Sequence, residues 1–173
     1  MGVGGVFGES AVGVVGGWDL TATGTDMVLT LGPGILFQKE GAGASYASDY
    51  RVAMNKANYT PITIDTAPSG GLKRVDLIQV KHAVKQTESQ VRDFYDNATS
   101  TFTTRNQAKR EEPYFDTVAL VKKGTAVGSP TESDFPTPDS GYDAIWYVYV
   151  GTDVTTLSQA NLIDARRYIT SRP

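Results

Sequence analysis

From Met27 onward the chain runs in short stretches rich in Val, Ile, Leu, Thr and Tyr, broken by Gly and Pro at the spacing of antiparallel β-structure. The pattern predicts strands over 27–31, 35–38, 62–65, 75–84, 118–122 and 145–150. Gly32-Pro33-Gly34 reads as a tight turn joining the first two into a hairpin, because proline fixes φ and glycine permits positive φ. The run Ile145-Trp146-Tyr147-Val148-Tyr149-Val150 is apolar or aromatic on both strand faces. It must be buried on both sides or give one face to an interface, so it is the expected centre of the fold, with Trp146 its largest side chain.

Two stretches depart from this pattern. Residues 85–113 form a polar insertion with two competing readings. Thr87-Glu88-Ser89-Gln90 fits a capping box, and Val91, Phe94, Tyr95 and Ala98 recur at helical spacing, which predicts a short amphipathic helix. Alternatively, the Thr-rich 99–105 extends a β-hairpin into solvent and returns through Tyr114 to Val118. Near the end, Ser158 is placed to cap a helical turn through Gln159, Ala160, Asn161 and Leu162. The stretch 128–141, with three prolines and Phe135 as its only large apolar residue, is a loop.

The second departure is the start of the chain. Twelve of the 18 glycines fall within the first 43 residues, and 1–17 alternates glycine with small or apolar residues. Val3, Val6 and Phe7 make it too apolar for a free linker, yet it has too few large side chains to fold alone. It is either an extended arm that orders against a neighbouring subunit, or a disordered tail or edge strand of its own subunit. The expected organisation is an arm over 1–17 and one mainly β domain over 18–173. That domain is an antiparallel sandwich or barrel-like fold with one or two short helices and the insertion at 85–113.

Composition removes several function classes. With 173 residues the chain suits one domain able to bury a core. It has no cysteine, hence no disulfide framework, thiolate metal site or thiol nucleophile. A net charge of -3 gives no footprint for nucleic acid. The start lacks the basic and apolar regions of a signal peptide, and no run approaches a membrane span, so a soluble protein is expected. The glycines match neither a dinucleotide fingerprint nor a Walker loop.

The one histidine, His82, sits within a predicted strand, which excludes a multi-His metal site and leaves a catalytic triad without a motif. Glu111-Glu112 and Asp134 with Asp139 lie in loop-like segments and read as solvating charges rather than a glycosidase pair. No catalytic, cofactor-binding or metal-binding residue is predicted.

Two charged motifs remain. Arg74 and Asp76 fall on the strand face opposite Val75 and Leu77, with Asp164 and Arg166 just after the C-terminal turn. Either the two segments form an ion-pair lock with each other, or all four are independent surface charges.

The order of segments resembles the attachment modules of bacteriophage baseplate, minor tail and tail-fibre proteins. Over about residues 18–168 it comprises Gly32-Pro33-Gly34-Ile35, then Tyr46, Tyr50 and Ile62-Thr63-Ile64, then Lys73-Arg74-Val75-Asp76-Leu77-Ile78. Next come Val121-Lys122-Lys123-Gly124-Thr125-Ala126 and the Pro-rich loop before the aromatic strand, and finally Leu157-Ser158-Gln159-Ala160-Asn161-Leu162-Ile163-Asp164-Ala165-Arg166.

The resemblance implies a non-enzymatic virion protein, assembled in the bacterial cytoplasm, that forms a homo-oligomer such as a trimer and docks on other virion proteins. Its interface or structural candidates are Val3, Val6, Phe7, Arg74, Asp76, Trp146, Asp164 and Arg166. Such modules usually head a longer fibre, whereas here seven residues follow Arg166, so the receptor-binding part is expected to be absent. The alternatives are a capsid-decoration or head-fibre protein, and a small carbohydrate-binding module that recognises a host glycan by stacking on Trp18, Trp146 or tyrosines.

Overall fold

A computed structural model describes residues 13–39, 50–55, 60–82, 84–115 and 118–166. The chain is mainly β, as its pattern predicts, built from several antiparallel sheets, none of which closes into a barrel. Among the described residues, single 3-10 turns at Glu132–Asp134 and Gln159–Asn161 stand in place of the expected short helices. The second is the turn expected after Ser158, whose amide and hydroxyl both donate to Asn161 Oδ1.

The first strands form one long bent hairpin. Strand β1 (Gly13–Gly17) pairs with β4 (Gly34–Lys39), and β2 (Leu20–Ala22) pairs with β3 (Val28–Leu31). Between these pairs the Trp18 amide donates to the Pro33 carbonyl at 2.8 Å, and the Gly32 amide donates to Asp19 O at 2.7 Å. The ladder therefore continues across a bend. Strand β5 (Tyr50–Asn55) extends the β1–β4 sheet, and β6 (Thr60–Thr63) extends the β2–β3 sheet.

Two expectations are corrected here. Gly32-Pro33-Gly34 does not turn β3 back on β4, because the two strands lie in different sheets. The tripeptide instead makes one side of the bend, and residues 23–27 make the hairpin turn. Its glycines are needed for close approach. A Cβ on Gly34 would lie 2.4 Å from the Trp18 ring, and one on Gly17, at φ +76°, would lie 2.2 Å from Pro33 O.

The expected arm does not include 13–17, because Gly13–Gly17 is an edge strand paired with β4, as the alternative reading had it, and Val14 is buried in the core. Val3, Val6 and Phe7 lie outside the described residues.

A four-stranded sheet forms the centre: β10 (Val118–Lys122), β7 (Arg74–Lys81), β11 (Asp143–Val150) and β12 (Leu162–Asp164), in that order. The aromatic strand β11 is interior, with Ile145, Trp146, Val148 and Val150 buried. Ile78, Val80 and Val148 join Trp18, Leu29 and Leu36 in the main core. The opposite face carries Leu77 and Gln79, also buried, beneath the Pro-rich loop. That loop is fastened by Phe135 against Tyr147 (ring centroids 4.9 Å apart), by Gln79 Nε2 donating to Asp139 Oδ2 at 2.6 Å, and by the Asp139 amide donating to Gln79 Oε1 at 2.8 Å. Because both faces are covered, β7 shows no polar alternation.

The polar insertion is a hairpin, not a helix. Strand β8 (Val84–Asp96) pairs with β9 (Thr101–Phe115) through a turn at 97–100. The helical spacing of Val91, Phe94 and Tyr95 yields to the Thr-rich return strand, whose β-branched residues favour extended backbone. Val84 lies opposite Phe115, and Val118 opposite Lys81, so this ribbon prolongs the β7–β10 pair past the edge of the sheet.

Candidate functional site

Arg74 and Asp76 form a buried unit. Arg74 Nε donates to both Asp76 oxygens at 2.9 and 3.0 Å, and its other nitrogens donate to Thr66 O at 2.6 Å and Asp65 O at 2.5 Å. Asp76 also accepts from the Gly124 amide at 2.9 Å. A side chain at 124 is excluded, since its Cβ would sit 2.0 Å from Val75 O. The Arg-x-Asp strand and the Lys-Gly-Thr step of the sequence pattern thus meet in one internal fastening. It ties the segment after β6 and the backbone just after β10 to β7.

The C-terminal motif makes a second, separate fastening. Arg166 donates to Asp164 at 2.6 and 2.9 Å, to Asp19 Oδ1 at 2.8 Å and to Gly17 O at 2.8 Å, and its guanidinium lies 4.6 Å from the Trp146 ring centroid. Trp146 Nε1 donates to Trp18 O at 2.6 Å. This cluster holds the bend of the first hairpin against β11 and β12. Donation by Arg166 is the main cause that holds the Asp164 carboxyl below its usual range.

Arg74–Asp76 and Asp164–Arg166 do not lock to each other, so the two segments are independent; the first pair is buried rather than at the surface, while Asp164 of the second remains 41% exposed. Trp18 and Trp146 are 0% and 8% exposed, which removes both as glycan-stacking platforms.

Sequence reasoning missed two buried amides. Gln38 Nε2 donates to Val80 O at 3.1 Å and Asp143 Oδ2 at 2.6 Å, and its Oε1 accepts from the His82 amide. Gln79 holds the loop, as above. The available signal is a glutamine inside an otherwise apolar strand, which must find partners if buried.

Among the described residues the ribbon carries the longest unbroken run of exposed positions. Residues 91–105 are exposed throughout. The fifteen residues of β9 span about 50 Å at roughly 3.4 Å per residue. On one face Tyr95 and Phe102 pair at 5.2 Å, 54% and 71% exposed, with Val91 two steps behind at 66%. The other face carries Arg92 opposite Arg105, Phe94 opposite Thr103 and Asp96 opposite Thr101.

Among the described residues no group of three or more His, Cys, Asp or Glu side chains is placed to hold a metal, and no helix is long and apolar enough to cross a membrane. No protein-family profile, curated protein or solved structure matches the chain.

Proposed function

We propose that this chain is a structural module of a bacteriophage virion, at the tail, baseplate or tail-fibre base, which works by assembling with copies of itself and with other virion proteins rather than by catalysis. The observation that carries the reading is the β8–β9 ribbon. An isolated two-stranded ribbon is at best marginally stable in water, and this one displays Val91, Tyr95 and Phe102 to solvent. Exposed apolar patches on a projecting element mark contact surfaces. The compact part of the molecule supplies a rigid base, because its charged motifs are spent on internal fastenings.

Quantitative mass spectrometry of purified particles, made by the phage whose genome encodes the chain, tests this reading. A fixed copy number of a few to a few dozen per particle is expected. Hundreds of copies would move the site to the head, and absence from particles would overturn the reading.

A further inference from the structure

The ribbon face bearing Phe94 has an order of charges that is informative in itself. Towards the tip it runs Arg92 with Arg105, then Phe94 with Thr103, then Asp96 with Thr101, and all six side chains are exposed. Like charges directly opposite each other across two strands destabilise a ribbon. Neither arginine has an ion-pair partner among the described residues, so the two positive charges stand side by side unneutralised. The Ala98 amide donates to Asp96 at 2.9 Å and is the main cause that holds its carboxyl below the usual range.

A strand from a polyanion does not fit this surface. Between 84 and 115 the chain carries five basic and five acidic residues, so the ribbon has no net charge to attract one.

We infer that this face docks on the same face of a second copy of the chain, antiparallel and related by a two-fold axis through Phe94. The inference rests on the ribbon being an assembly arm. Reversing the direction of one ribbon sets the Arg92–Arg105 pair of each copy opposite Asp96 of the other, with the two Phe94 rings between them. A sequence of positive, apolar, negative at equal steps is complementary to its own reverse, which is what an isologous contact requires. Parallel packing would instead stack four guanidinium groups at one level. The other face, with Tyr95 and Phe102, remains open for a different virion protein.

Sedimentation equilibrium of the full chain, from about 10 μM to about 1 mM, covers an interface below standard size. The expected result is reversible association that weakens as salt rises. Asp96→Arg makes the face wholly positive, and Arg92→Asp with Arg105→Asp makes it wholly negative. Each variant alone should lose at least about tenfold in affinity, and an equimolar mixture should recover it, because opposite faces then meet. Asp96→Asn, which keeps the turn, should lose part of the affinity. Asp96→Asn and the Arg92, Arg105 double variant should melt like the parent, and recovery in the mixture separates the contact from the turn bond that Asp96→Arg also loses.

A parent that stays monomeric over the whole range overturns the inference. So do charge variants that associate normally, or a mixture no better than its components. If the self-contact fails in these ways while residues 91–105 are protected on assembled particles, the arm reading stands and only the self-contact falls. If 91–105 are unprotected there as well, both fall.

Discussion

Strands β7 and β8 follow one another in the chain and teach opposite lessons. Residues Arg74 to Val80 are buried without a break, whereas 91–96 are exposed without a break. The arginines show the same contrast. Arg74 spends its donors on Asp76, Asp65 and Thr66, while Arg92 faces Arg105 across a ribbon. In the first region charge is internal and geometry decides its value. In the second the arginine charge is spent on no other protein group among the described residues and is left to solvent. The fold thus divides into a base that satisfies itself and an arm that does not.

The largest effect expected from breaking this division is in the base. Asp76→Ala leaves the Arg74 guanidinium buried without its carboxylate and should cost about 3–5 kcal/mol, read from urea unfolding of the full chain. Trp146→Ala removes a ring packed between Arg166 and the core and should cost a similar ~3–5 kcal/mol. Deleting residues 1–17 should also destabilise the isolated chain, because it removes strand β1 and Val14 with it. A deletion mutant that melts like the parent would show that β1 contributes nothing to the base.

Smaller effects sharpen the comparison. The Asp164 carboxyl lies below its usual range when folded, so its contribution is complete above the unfolded value near ~4 and is lost as pH falls through the lower folded value. Melting followed from pH 7 downward should therefore hold steady to about pH 4 and then fall, and Asp164→Asn should flatten that acid limb. Least affected should be the ribbon. Tyr95→Ser with Phe102→Ser should change unfolding free energy by no more than about 0.5 kcal/mol per site while reducing association with virion proteins.

Much of the base was legible in the sequence. The aromatic strand announced its burial because no face of it was polar, and β10 was found at its observed limits because both ends carry clear changes of pattern. The bend was not legible. A Gly-Pro-Gly tripeptide signals a turn locally, but whether the chain reverses there or only bends depends on Trp18 packing over Gly34, a contact between residues sixteen apart. The charged motifs were recognised as pairs, yet their partners were not, since the carbonyls of Asp65 and Thr66 carry no side-chain signal. The ribbon stayed between two readings where helical spacing and β-branched content conflicted, and the hairpin reading is the one that holds. Tyr95 and Phe102 form a cross-strand pair that helical spacing cannot reveal.

Hydrogen exchange of the full chain, measured in dilute solution and again on assembled particles, tests the division most directly. Amides of β7 and β11 should be protected in both states. Those of 91–105 should exchange rapidly in dilute solution and become protected only on assembly, because their hydrogen bonds lie in a solvated ribbon. Ribbon amides as protected as the base in dilute monomer, or unprotected on the particle, would contradict the account.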